Sequence, residues 1–301
     1  MKCIVTGGAG FIGSHLADEL IKRGHEVVVI DNLISGFREY INPKSKFIEK
    51  DVNNISTELN GAEVVYHFAA DPNVRFSADD PKRSFDRNVR TTFKLLEECR
   101  KKDIKKVVFA STSTVYGEVP VPTPETELTI PISNYGASKL ACESYISSFS
   151  HSYGIKGTSL RYANIFGDRS THGVMHDFYN KLKENPHQLE ILGNGKQDKS
   201  YLYINDCVEA SLFASDNQKS NYDFFNIGSS EKVTVDKIAK LMCKYLKIQP
   251  EFEYTGGERG WVGDVRIMLL SIKKLEKMGW KPKTDFETGL KRYLDWLKKR
   301  K

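Results

Sequence analysis

Two side chains that could exchange a proton with a substrate lie four residues apart. Tyr135 and Lys139 fall at the start of a predicted helix, where this spacing places both on one face, about one turn apart. An ammonium group beside a phenol favours the phenolate, so we expect the pKa of Tyr135 to fall from about 10 toward neutral pH. Tyr135 would then serve as a general base. The alternative is an ordinary amphipathic helix start, because the spacing also arises by chance. A hydroxyl-rich segment at a predicted strand end, Ser111–Thr114, favours the catalytic interpretation.

A glycine cluster near residue 10 predicts a nucleotide site. Gly8, Gly10 and Gly13 match G-x-G-x-x-G, in which the glycines allow a tight turn, close approach of a pyrophosphate and close helix packing. The pyrophosphate would lie at the N-terminus of the following helix. The pattern alone is weak, but apolar runs flank it on both sides. The second run ends in Asp31, whose carboxylate can accept both ribose hydroxyls and would repel a 2′-phosphate, so NAD is predicted rather than NADP.

These groups need a scaffold, and short apolar runs alternate with helical stretches in the first half of the chain. Such alternation predicts an α/β fold with a doubly wound parallel sheet. Further strands are predicted at Lys46–Ile48, Val64–Phe68, Lys106–Ala110 and Gly157–Leu160, with helices near Ser84–Lys102 and Ser138–His151. The proline-rich segment 119–131 is neither helix nor central strand and is expected to cover the site as a lid or wall.

A change of composition near residue 167 predicts two domains. We expect a nucleotide-binding domain at 1–166, to which 201–228 returns, and a smaller α/β substrate domain at 167–301. The composition, 40% hydrophobic and 28% charged, is that of an ordinary globular protein, and no apolar run nears the ~18 residues that span a bilayer. No signal or transit peptide is expected, because a strand begins almost at once.

Charge and cysteine usage exclude other classes. The net charge is 45 − 39 = +6, and its lysine patches fit a solvated surface better than a nucleic-acid site. The five cysteines are far apart and form no C-x-x-C pair, which predicts reduced thiols in a cytoplasm and gives no metal-site spacing.

Together these motifs resemble the extended short-chain dehydrogenase/reductases and, within them, the NAD-dependent nucleotide-sugar epimerases. The resemblance covers nearly the whole chain and rests on Thr6–Gly13, Asp31–Asn32, Asp51–Val52, His67–Ala70, Asn88, Ser111–Gly117, Tyr135–Lys139, Arg161–Gly167, Asn226–Gly228 and Gly263–Val265. It implies a Rossmann domain, bound NAD and a UDP-sugar substrate. The 4-epimerases of UDP-glucose and UDP-galactose, which work through a 4-keto intermediate, are the most similar group.

The resemblance also implies individual roles. Thr112 takes the position of the catalytic Ser or Thr, Tyr135 that of the base and Lys139 that of its activator. The implied NAD contacts are Gly7, Gly10, Phe11, Ile12, Gly13, Asp31, Asn32, Asp51, Val52, Phe68, Ala69, Ala70, Asn88, Tyr135, Lys139 and Tyr162. The implied substrate contacts are Thr112, Asn164, Val174, Lys199, Arg259 and Met268, with no metal. Two alternatives stay open: Asp51 as a plain turn cap, and 68–70 as a buried strand end.

Departures from the family pattern narrow the chemistry. The similar sugar 4,6-dehydratases carry Asp and Glu where this chain has Ser113 and Thr114, and UDP-glucuronate decarboxylases typically carry Glu at the latter position. Epimerisation is the simplest chemistry left. Relatives commonly bind the diphosphate with Arg, where this chain has Lys199, a point charge. A second family Arg is replaced by Trp261, and Arg259 is the candidate for its role, with a plain surface position as the alternative.

Substrate and assembly stay open at this point. A UDP-N-acetylhexosamine or a UDP-uronate is the alternative substrate, and a non-catalytic NAD-binding regulatory protein is the alternative class. Met268, unbranched and intermediate in size, predicts weak activity on N-acetylated sugars, unless it is only a core residue. The resemblance implies a homodimer through the helices near 90–100 and 140–150. No nucleic-acid or membrane partner is expected.

Overall fold

A computed structural model describes residues 1–74, 77–257, 265 and 267–300. Its strands are β1 (Lys2–Thr6), β2 (Glu26–Asp31), β3 (Lys46–Glu49), β4 (Val64–His67), β5 (Lys106–Thr112), β6 (Lys156–Tyr162), β7 (Asn164–Phe166), β8 (Gln188–Ile191), β9 (Asp198–Tyr203), β10 (Tyr222–Ile227), β11 (Lys232–Thr234), β12 (Glu251–Tyr254) and β13 (Ile267–Met268). Its helices are α1 (Phe11–Lys22), α2 (Pro81–Ser84), α3 (Thr91–Lys101), α4 (Asn134–Tyr153), α5 (Val174–Glu184), α6 (Ile204–Asn217), α7 (Val235–Leu246), α8 (Lys273–Met278) and α9 (Phe286–Lys299). No described helix is long and apolar enough to cross a bilayer.

The predicted doubly wound parallel sheet is confirmed. Seven parallel strands lie in the order β10-β6-β5-β4-β1-β2-β3. Alternate residues of each strand face opposite sides, so in β1 Cys3 and Val5 pack with α1 and α6, whereas Ile4 packs with α3 and α4. Helices therefore cover both faces, and the carboxyl ends of the strands form one open edge.

The second half of the chain contributes to more than one sheet. A small four-stranded sheet has the order β11-β9-β13, and its fourth strand, β7, also pairs with β9. Strands β8 and β12 form a separate two-stranded sheet. The strand β10 instead lies beside β6 at the edge of the large sheet. The small sheet thus carries residues such as Asn164 and Lys199 next to the open edge of the large one.

Two helices begin earlier than predicted, because capping residues precede them. Helix α4 begins four residues before Ser138, since the Ser133 hydroxyl accepts a hydrogen bond from the Gly136 N–H at 3.1 Å. The predicted helix from Ser84 begins at Pro81, which Asp80 caps, and a π-helical turn at 85–90 separates α2 from α3. The earlier start places Tyr135 inside α4, in its first turn.

Candidate active site

Thr112, Tyr135 and Lys139 lie together at the open edge of the large sheet. Thr112 ends β5, and its hydroxyl is hydrogen-bonded to the phenol of Tyr135. Lys139 is buried, and its Nζ donates to the Ala110 carbonyl oxygen at 2.8 Å. The same Nζ lies 5.8 Å from the centroid of the Tyr135 ring. The structure therefore places a hydroxyl, a phenol and an ammonium group side by side.

A glycine permits this arrangement. A Cβ at Gly136 would lie 2.7 Å from the Thr114 carbonyl oxygen, so a larger residue would push the first turn of α4 away from the strand end. The Thr114 N–H in turn donates to the Thr112 hydroxyl at 3.2 Å and fixes the short 3₁₀ turn at Ser113–Val115. The Thr112 hydroxyl is thus positioned by both the Thr114 N–H and the Tyr135 phenol.

The expected pKa of Tyr135 is wrong for the chain by itself. Burial of the hydroxyl raises the pKa of Tyr135, and the hydrogen bond from Thr112 lowers it by less. The Lys139 ammonium, bonded to the Ala110 carbonyl and 5.8 Å from the centroid of the Tyr135 ring, does not offset the effect of burial on this pKa. Burial also lowers the pKa of Lys139 to about 8. The phenol is therefore protonated at neutral pH until another positive charge arrives.

A buried polar network that the sequence did not reveal lies behind these residues. Arg161 donates through Nε and Nη2 to the Glu143 carboxylate at 3.0 and 2.7 Å, and Ser111 donates to the same carboxylate. Arg161 Nη1 also donates to the Tyr116 hydroxyl at 2.9 Å, which donates to Asn226 Oδ1 at 2.8 Å. The available signal was Glu143, four residues after Lys139 on the same helix face.

The network continues into the proline-rich segment 119–131. Asn226 Nδ2 donates to the carbonyl oxygens of Thr123 and Ser271, at 3.0 and 3.2 Å. The Thr123 N–H donates to the Leu269 carbonyl at 2.8 Å, so the proline-rich segment is also joined directly to residues 269–271. Met268, just before Leu269, packs against the cluster that contains Tyr116, and both side chains line a small cavity.

The glycine turn leaves no room for side chains, as a dinucleotide site requires. Gly7 has φ +69°, and a Cβ there would lie 2.5 Å from the Ala69 nitrogen; at Gly13 it would lie 2.3 Å from the Gly7 carbonyl oxygen. Helix α1 begins at Phe11 after Gly10, and no side chain caps its N-terminus. The first-turn N–H groups of Phe11 and Ile12 therefore suit a pyrophosphate, and these residues fit NAD.

Asp31 and Asp51 lie at neighbouring strand ends. Asp31 accepts from the N–H groups of Ala9 and Leu33, at 3.0 and 2.8 Å, while burial raises its pKa. Each oxygen retains capacity for a further bond, as a ribose contact needs. Asp51 caps the 3₁₀ turn at Val52–Asn54 and accepts from Asn32 Nδ2 at 3.3 Å. The capping alternative is therefore present, and an adenine contact stays a prediction.

Asn88 and Tyr162, which are also predicted to contact NAD, form hydrogen bonds within the chain. Asn88 accepts from the Asp71 N–H at 2.8 Å and donates to the Ser138 hydroxyl at 2.9 Å, which joins the segment after β4 to α4. The Tyr162 hydroxyl lies 2.9 Å from the Ser211 hydroxyl on α6, and its ring lies 6.2 Å from that of Phe68. Only the ring of Tyr162 is left to border a nicotinamide.

Four of the predicted substrate residues lie on the small sheet or at the start of α5. Asn164 donates to the Ser200 carbonyl at 3.1 Å, Lys199 pairs in register with Met268, and Val174 begins α5. Arg259, together with Trp261 and Gly263, lies outside the described residues.

Comparisons with known proteins find relatives that cover nearly the whole chain. Residues 3–228 match the model of the NAD dependent epimerase/dehydratase family. A UDP-glucose 4-epimerase of Corynebacterium glutamicum is 32% identical over 96% of this chain and 93% of its own. A Thermotoga maritima UDP-glucose 4-epimerase solved with UDP-glucose has a TM-score of 0.92, 38% identity and 99% coverage of both chains. A Methanobrevibacter ruminantium UDP-N-acetylglucosamine 4-epimerase also has a TM-score of 0.92, with 32% identity and coverage of 100% of this chain and 99% of its own. This chain therefore belongs to the NAD-dependent epimerase/dehydratase family, with NAD as its cofactor.

Proposed function

We propose that the protein is a 4-epimerase that interconverts UDP-glucose and UDP-galactose through a 4-keto sugar. The observation that carries the proposal is the group formed by Thr112, Tyr135 and Lys139 beside a turn that has hydroxyls, at Ser113 and Thr114, in place of acids. Dehydration needs those acids to remove water, whereas epimerisation needs one proton and one hydride to leave C4 and return.

The arrangement suggests a role for each side chain. Tyr135 takes the proton of the sugar 4-hydroxyl, and Thr112, hydrogen-bonded to that phenol, holds the same oxygen. When bound, NAD accepts and returns the C4 hydride and, in its oxidised form, supplies a positive charge. Next to such a charge the phenolate of Tyr135 becomes more favourable, which counters the effect of burial. Lys139 is fixed to the Ala110 carbonyl, with its ammonium 5.8 Å from the centroid of the Tyr135 ring.

The remaining site residues are assigned with the same proposal. We assign Gly7, Gly10, Asp31 and the first turn of α1 to NAD, and Asn164, Val174, Lys199, Arg259 and Met268 to the UDP-sugar. We also propose the division into 1–166, with 201–228, and 167–301. The support is that β10 pairs with β6 in the large sheet, whereas β8 and β12 pair with each other outside it.

One relative favours a second candidate for the sugar. The UDP-glucose and UDP-N-acetylglucosamine 4-epimerases have the same TM-score to this chain, so the overall fold does not select between them. Met268 and Tyr116 line the same small cavity, and we propose that the Met268 side chain there restricts an N-acetyl group. We therefore favour the UDP-glucose pair, with weak activity on the N-acetylated pair.

A substrate screen tests the proposal. Purified protein is incubated with UDP-glucose, UDP-galactose, both N-acetylhexosamine counterparts and UDP-glucuronate, and products are separated by anion-exchange chromatography. Interconversion of the first pair at the highest kcat/KM is expected. Faster turnover of an N-acetylated sugar or a uronate would transfer the assignment to that sugar. NAD binding without turnover of any would favour a regulatory protein.

An aromatic patch on α3 and α4 supports a homodimer. Phe93 and Tyr145 lie 5.2 Å apart by ring centroid, and Phe93, Tyr145 and Tyr153 expose 39%, 41% and 52% of their surface. Such a patch is typical of a protein interface. We propose that a second copy covers it. Sedimentation should show a dimer for the wild type and a monomer for Phe93→Glu; a monomeric wild type would contradict the proposal.

We also propose a cytoplasmic location. All five cysteines are unpaired and buried, as is usual where thiols stay reduced. Subcellular fractionation with an antibody would test this.

A further inference from the structure

The segment that joins β2 to β3 closes over the acid at the end of β2. Phe37 donates its N–H to the Ala9 carbonyl in the glycine turn at 2.9 Å. A Cβ at Gly36 would lie 2.9 Å from both the Ala9 Cβ and Asp31 Oδ1. The position of residues 36–40 therefore determines how far the Asp31 carboxylate is open to a ribose.

Two arginines from the other half of the chain hold this segment. The guanidinium carbon of Arg300, which follows α9, lies 5.0 Å from the ring centroid of Phe37 and 5.6 Å from that of Tyr40. Arg169 lies 5.7 Å from the Tyr40 ring and forms an ion pair with Asp18 of α1 at 2.8 Å. Tyr40 is thus buried beneath two cations that come from outside the nucleotide-binding strands.

Both arginines are attached to well-packed structure. The Tyr293 hydroxyl of α9 donates to the Ser170 carbonyl at 2.8 Å, which joins α9 to the segment that carries Arg169. Arg300 also lies 5.3 Å from the Trp296 ring on α9. Movement of the 36–40 segment away from Asp31 must therefore break arginine–ring contacts whose other side stays fixed.

We propose that Arg300 is a positioning residue that keeps the 36–40 segment closed beside Asp31 and so slows the release of NAD. A cofactor that must return its hydride has to remain bound through the reaction, and a closed segment provides this. The inference depends on NAD binding to this face and does not depend on which sugar is epimerised.

The rate of NAD release tests the inference. Protein loaded with radiolabelled NAD is diluted into excess unlabelled NAD without any sugar, and retained label is followed with time. Each of the two cation–ring contacts to the segment contributes a factor of about 2–5, so Arg300→Ala should release NAD about 4- to 25-fold faster. Arg300→Lys, which keeps the charge and loses the planar stack, should give an intermediate rate.

Matched controls separate this effect from loss of charge or of fold. Lys298→Ala removes a charge from the same helix end, where its Nζ lies 3.5 Å from the Tyr245 carbonyl, and should leave the release rate unchanged. Glu39→Gln weakens the 3.5 Å ion pair that Arg300 also forms with the 36–40 segment, and should accelerate release by less than Arg300→Ala does. Tyr40→Leu removes the ring that both arginines contact and should match or exceed the effect of Arg300→Ala.

Two results would overturn the inference. One is an unchanged release rate in Arg300→Ala with the melting temperature of the NAD-free protein intact. The other is equal acceleration in Lys298→Ala. Because no sugar is present, neither result bears on the proposed epimerase activity.

Discussion

The two sides of the proposed site are built differently. Thr112 and the Ala110 carbonyl that holds Lys139 end β5, a seven-residue strand paired on both sides within the large sheet. Met268, on the sugar side, lies on β13, a two-residue strand. A long central strand fixes its end residues closely, whereas a short strand depends on a few bonds and can shift with little cost. We infer that the sheet side determines the reaction and the short strands determine which sugar reacts.

The largest expected effect lies on the sheet side. Tyr135→Phe should lower kcat by about 10²-fold or more, because the proton acceptor is lost, while NAD stays bound. Rates are measured with UDP-galactose in a coupled assay, and NAD is quantified after denaturation. Tyr245→Phe on α7, which removes a hydroxyl that donates to Glu287 of α9, serves as the control and should keep the wild-type rate. A near-native rate for Tyr135→Phe would show that another residue is the base and would contradict the inference that the sheet side determines the reaction.

Stability on the sheet side should depend on pH through His67. This side chain at the end of β4 is buried between the hydroxyls of Thr6 and Thr92, and burial lowers its pKa from 6.5 to about 3. The unfolded chain therefore binds the extra proton as pH falls below 6.5, and at pH 5 the native state loses about 2 kcal/mol.

Urea unfolding at pH 7.5 and pH 5.0 tests this prediction. In His67→Gln the fall in free energy of unfolding between the two pH values should shrink by about 2 kcal/mol, whatever the variant costs at pH 7.5. His187→Gln, exposed after α5, should keep the wild-type difference. An unchanged difference in His67→Gln would assign the acid sensitivity to another buried group, with His15 the next candidate because burial lowers its pKa to about 4.

The sugar side should show a smaller and more selective effect. Met268→Ala should raise kcat/KM for the N-acetylated pair by about tenfold relative to the UDP-glucose pair, because it opens space beside Tyr116. Met278→Ala, a half-buried methionine at the end of α8, is the matched control. If the ratio stays constant, Met268 is a core residue and the pocket wall lies elsewhere.

The smallest expected effect concerns the network that joins the two sides. Tyr116→Phe removes the hydroxyl between Arg161 and Asn226 and keeps the ring. We expect a few-fold rise in KM for the UDP-sugar with kcat and NAD content nearly unchanged, since the wall shifts while Thr112 and Tyr135 stay in place. A fall in kcat with constant KM would show that the network serves the sheet side instead.

The sheet and the catalytic group could be predicted from the sequence, because the alternation of strands and helices, the glycine spacing and the four-residue interval between Tyr135 and Lys139 are all short-range signals. The network was missed because Ser111, Glu143, Arg161 and Asn226 come from four different elements. The predicted lowering of the Tyr135 pKa was wrong because the spacing of two residues indicates neither the burial of the phenol nor the bond between Lys139 and the Ala110 carbonyl. Helix starts were misplaced because Ser133 and Asp80 act as caps outside the apolar pattern.

The π-helical turn at 85–90 has a consequence for how this lineage can vary in length. Such a turn holds one residue more than a turn of α-helix, and removing it would rotate α2 by about 100° relative to α3. Arg83 on α2 would then leave Asp71, with which it pairs, although Asn88 could still reach Ser138. We therefore expect a relative with one residue fewer in this turn to lack the Asp71–Arg83 pair. Single-residue insertions and deletions should therefore accumulate in other surface segments before they appear in this one.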